Sequence, residues 1–208
     1  HVGQEMLMQQ SPYQIPTKKL QHMKMGEKIK GVTDKFFFIP TVVWQTISSS
    51  VLHNQSTKGS EYPKRREDAE VGSPDLNIVT IKQLRNKNGQ SGVLIDLVIS
   101  QLEGVLPSLS EFHFIKENNR FALEGNNINY HIVFYPEVKL TRTTVRQLLD
   151  EDPLLRRATK IASDLLQIKM HYKNLPFEVP EPQALYEKLN KKYGFKTLLN
   201  TRDYWTFN

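Results

Sequence analysis

The stretch behind Asp152-Pro153 places the firmest constraint on what this chain can build. Leu154, Leu155, Ala158, Ile161, Ala162, Leu165 and Leu166 recur at i, i+3, i+4 and i+7, the spacing of one face of an α-helix. Asp152 is suited to cap the free amides at the helix start, and Pro153 to occupy its first turn. A helix with a single apolar stripe must bury it against another layer. A further helical segment is expected just before it, from near Thr141.

The partner layer is sought upstream. Leu76 to Lys82 is rich in β-branched residues with alternation at its end and reads as a strand. Asn86-Lys87-Asn88-Gly89 closes it as a turn. From Val93 to Leu106 a narrow polar stripe (Asp96, Ser100, Gln101, Glu103) predicts a helix buried on most of its circumference, ended by Gly104 and Pro107. Phe112–Ile115, Arg120–Leu123 and Ile128–Tyr135 read as strands joined by asparagine-rich turns. Ile128, Tyr130, Ile132 and Phe134 then share one strand face. Gln167 to Tyr172 is expected to return as a strand. The predicted class is therefore α+β, a ferredoxin-like split βαβ sandwich in the order β-α-β-β-α-β. A short C-terminal extension follows, with a helix from Gln183 to Tyr193, a stop at Gly194 and an extended piece holding Phe195, Trp205 and Phe207.

The expected organisation has three parts. Residues 1–47 form a flexible N-terminal arm carrying an aromatic, strand-like segment; 48–75 form a flexible linker; 76–208 form the α+β domain with its extension. The arm's Phe36, Phe37, Phe38 and Trp44 either pack as an extra strand or offer an apolar patch to a partner. The linker holds Asn54-Gln55-Ser56, a glycosylation acceptor pattern, and the basic run Lys64-Arg65-Arg66, a candidate processing site if the chain enters the secretory pathway.

Composition narrows the chemistry. There is no cysteine, which removes disulfides, thiolate catalysis and cysteine-built zinc sites together. No run is long enough to span a bilayer, and the start at His1 lacks the pattern of a signal peptide. The net charge is +6, divided as +2 over residues 1–75 and +4 over 76–208, so the field is modest and spread. Phosphate loops, nucleophile elbows and metalloprotease helices are absent. No catalytic residue, metal site or cofactor is predicted.

Two residue sets remain as candidate sites. Arg142, Arg146, Arg156, Arg157 and Lys160 gather basic charge along the second helical region, for a polyanion or as a solvated helix face. The strand aromatics nearby read as core, leaving His131, Tyr135 and Arg120 as the candidates for base stacking. By alternation, His113 and His131 fall on the outer face of one sheet, where paired imidazoles bind a metal or act as a pH sensor between about pH 5 and 8, although no carboxylate or third histidine is placed to complete a metal site. The bland alternative is two surface strand histidines.

The dibasic run Lys64-Arg65-Arg66, a polar spacer, Ile78-Val79-Thr80 entering a buried helix, the hairpin strands and the helix introduced by Leu140-Thr141 form a pattern over about residues 76–168. It resembles the SEA-like mature ectodomain of the islet-autoantigen type of receptor tyrosine-phosphatase-like proteins. That resemblance implies a lumenal secretory-granule module, processed at the dibasic site and acting through adhesion or self-association; without it the expected setting is cytoplasmic. The family's transmembrane helix and phosphatase-like domain have no counterpart in this sequence. Two function classes follow: a non-enzymatic protein-interaction or adhesion domain, and, as the alternative, a polyanion- or RNA-binding domain.

Overall fold

The computed structural model describes residues 39–65, 75–88, 91–126, 128–171 and 178–200. The class is α+β, with two antiparallel sheets and five helices among the described residues. The elements run β1 (Val42–Val51), β2 (Leu76–Asn86), β3 (Leu94–Ser100), β4 (Gly104–Val105), α1 (Pro107–Glu117), β5 (Leu123–Gly125), β6 (Tyr130–Ile132), β7 (Tyr135–Leu140), α2 (Val145–Glu151), α3 (Pro153–His171), α4 (Pro182–Tyr193) and α5 (Phe195–Leu199). One sheet has the order β1-β2-β3-β4, the other β5-β6-β7. The β-α-β-β-α-β order expected from the sequence, and with it the topology of the SEA-like resemblance, is not the order observed. Four strands precede the first helix.

The largest departure is Val93 to Leu106, which is a strand, a turn and a two-residue strand instead of a helix. Its polar residues are used by the sheet and the turn. Asp96 Oδ1 accepts the Thr80 hydroxyl at 2.6 Å. Ser100 Oγ donates to Asp75 Oδ2 at 2.9 Å and accepts the amides of Leu102 and Glu103. Gly104 then takes φ +80°, in the left-handed region where glycine is at ease. A polar stripe at helical spacing was here a set of cross-strand and turn partners. Val93, Ile95, Val98 and Ile99, β-branched throughout, prefer the pleated conformation.

Phe112 to Ile115 departs in the opposite sense and lies within α1. Pro107 opens that helix, and Leu109, Phe112 and Ile115 are buried at three-residue spacing. The predicted strand at 120–123 is largely a turn. Asn119, Arg120 and Ala122 all take positive φ, and only Leu123 enters β5. Gln167 to His171 continue α3 instead of returning as a strand. Phe195 opens α5 and stacks on Phe134, with ring centroids 5.2 Å apart; Trp205 and Phe207 lie outside the described residues.

Other expectations hold. Asp152 Oδ1 accepts the amides of Leu154 and Leu155 at 2.8 and 3.2 Å. Leu155, Ala158, Ala162 and Leu166 form the buried stripe of α3. Gly194 ends α4 with φ +71°.

The described residues form two compact units, one from 39–49 with 79–96, the other from 50–78 with 97–200. The second holds the core. Its α1 and α2 pack on α3, and α3 also meets β6, β7 and α5. The middle strand β6 pairs with β5 through Leu123↔Ile132, Glu124↔His131 and Gly125↔Tyr130. The strand predicted from Ile128 to Tyr135 divides: Ile128 is 71% exposed, Tyr130 and Ile132 of β6 are buried, Val133 and Phe134 turn the chain, and Tyr135 opens β7. The segment expected as a linker contributes to both units. Ser48 and Ser49 lie in β1, and Tyr62 is fully buried beside Phe112.

Candidate interaction surface

The first unit contains strand segments and turn residues. β1 stands at the edge of its sheet among the described residues. Its inner side is held by β2 at both ends, through Lys87 N to Thr41 O (3.0 Å) and Leu52 N to Leu76 O (2.8 Å). The two strands are therefore antiparallel. Among the described residues no strand pairs with the other side of β1, which there presents a row of backbone donors and acceptors.

β1 mixes exposed apolar side chains with the polar Gln45, Thr46 and Ser48–Ser50. Trp44 is 60% exposed, Ile47 49% and Ile39 74%; Leu94 of β3, in the same unit, is 60% exposed. Trp44 and Ile47, three positions apart on β1, point to opposite faces of the sheet. Trp44 is oriented by its indole N–H, which donates to Gln83 Oε1 at 3.1 Å. Of the predicted partner-binding residues, Trp44 lies on this exposed strand, while Phe36, Phe37 and Phe38 lie outside the described residues.

A further signal in this region is charge. From Phe36 to Thr57, 22 residues, there is no Asp, Glu, Lys or Arg, in a chain with 24% charged residues, where about five would be expected. Sequence reasoning missed this because it divided the run between an arm and a linker at Ile47.

The predicted basic set is not a solvated face. Arg146 is 2% exposed. Its guanidinium donates to both Asp75 oxygens (3.2 and 3.1 Å), to Glu103 Oε2 (2.7 Å) and to the Tyr62 carbonyl (3.4 Å). Burial pushes the Asp75 carboxyl up, but hydrogen bonds from Arg146 and Ser100 and the guanidinium charge bring it below the ordinary range. Glu103 is held low by its hydrogen bonds with Lys64 and Arg146. Arg142 donates to the Ser60 carbonyl at 2.8 Å. Arg156 binds the carbonyls of Leu149 and Asp150 at the end of α2. Lys160 lies 3.3 Å from Asp164 and 4.0 Å from Glu111, and Arg157 is half-buried on α3. Helical spacing showed the positive charges; the partners of Arg142 and Arg146 come from distant parts of the chain, whereas those of Arg156 and the nearer one of Lys160 are local.

The two histidines do not share a sheet face. His113 is buried on α1, with Nδ1 2.9 Å from the Tyr62 hydroxyl. His131 lies on β6, with Nε2 3.7 Å from Glu124 on the neighbouring strand. At the predicted processing site Lys64 pairs with Glu103, Arg65 is exposed and Arg66 lies outside the described residues. As for stacking, Tyr135 is buried and Arg120 lies 5.9 Å from the centroid of the Tyr130 ring.

The second unit has a cavity of about 510 Å³ between the turn at 118–122, β5 and the facing ends of α3 and α4. Its charged groups already have partners. Lys169 pairs with Glu181 at 2.7 Å, Glu124 with His131, and Arg120 donates to the Asn126 carbonyl. Among the described residues no group of three or more His, Asp or Glu is arranged to hold a metal, and no helix is long and apolar enough to cross a membrane. No protein-family model and no curated protein matches the chain.

Proposed function

We propose that this chain is a non-enzymatic protein-interaction module that docks a partner strand along β1. The observation that carries the reading is the combination on one ten-residue edge of a backbone row unpaired among the described residues, exposed Trp44 and Ile47, and no charge. Proteins that keep sheet edges apart place lysine, proline or an inward charge on them. Val42 to Val51 carries none of these residues. In strand addition the main chain supplies affinity, and alternate side chains supply selectivity. Trp44 on one face of β1 and Ile47 on the other are exposed for such contacts.

The test is a displayed library of extended peptides selected against the full chain. Bound peptides should lose at least ten-fold in affinity for the Ile47→Lys variant, whose circular dichroism and melting temperature match the parent. A selection without binders, or binders indifferent to Ile47→Lys and Trp44→Ser, would refute the reading.

A further inference from the structure

We draw no further inference here: the strongest candidate, the cavity of about 510 Å³ between the turn at 118–122, β5 and the facing ends of α3 and α4, has its charged groups already engaged with one another, with His131 and with the Asn126 carbonyl, and nothing in the structure shows what fills it.

Discussion

Asp75 and Arg146 form a two-pronged ion pair, each carboxylate oxygen accepting from one nitrogen of the guanidinium. Asp75 immediately precedes β2, while Arg146 lies in the first turn of α2. The pair joins residues 71 positions apart, and Glu103 and the Tyr62 carbonyl complete the guanidinium's partners. A planar fork of donors suits this role better than an ammonium group would. Asp75→Asn leaves a buried cation facing an amide that offers it a single acceptor oxygen. Glu103 still neutralises the guanidinium at 2.7 Å, so the expected cost is about 1–2 kcal/mol, that of a charge-assisted hydrogen-bond pair replaced by a weaker one. Urea unfolding of the variant against the parent measures it.

The same cluster sets the acid limit of stability. Asp75 and Glu103 both have folded-state pKa values below the ordinary carboxylate values. A depressed acid contributes stability that is fully present above its unfolded pKa, about 4, and is lost as pH falls through the folded value. The urea midpoint should hold between about pH 5 and 7 and then fall steeply below about pH 4. Asp75→Asn should flatten that fall. An unchanged slope in the variant would show that other carboxylates carry it.

Tyr62 anchors the segment that follows β1. Its ring meets Phe112 edge-on at 5.8 Å, its hydroxyl lies 2.9 Å from His113 Nδ1, and its neighbour Glu61 accepts from Lys116 at 2.7 Å. Burial holds the phenol well above its usual pKa, with Glu61 adding to the effect, so it stays protonated and able to donate. Tyr62→Phe keeps the ring and removes the hydroxyl. Thermal unfolding should report a loss of about 1–2 kcal/mol, the worth of one buried hydrogen bond together with the partner it leaves.

Gly125 has a stricter requirement. Its φ is +111°, and a Cβ placed there would lie 2.3 Å from the Asn129 carbonyl oxygen. That oxygen is fixed, because it accepts the Asn126 amide within the turn that joins β5 to β6. Gly125→Ala therefore adds backbone strain to a clash with main chain, and a loss of more than about 2 kcal/mol is expected. A melting temperature within 2 °C of the parent would contradict this.

How far the fold was legible follows from how local each signal is. The cap and stripe of α3, the stop at Gly194 and the strand from Leu76 were all readable, because each rests on residues within a few positions of one another. Val93 to Leu106 misled because short apolar runs satisfy both periods, and their polar members were assigned before their partners were known. Leu109 was the missed clue for α1. Taken with Phe112 and Ile115 it gives a three-residue spacing that no strand produces.

For the candidate site, the sequence marked Trp44 and an apolar segment, but not that the segment is an edge. By itself the sequence determined the cysteine-free chemistry, the spread positive charge, the amphipathic α3 and the uncharged run through β1, since these depend on composition and near spacing alone. The tertiary structure alone decided that Arg146 is buried against Asp75 and Glu103, that His113 meets Tyr62, and that one side of β1 has no paired strand among the described residues. Each of these joins residues dozens of positions apart, or depends on which strand pairs with which. Pairing is a competition among all the strands at once, settled by packing and hydrogen-bond satisfaction across the whole fold.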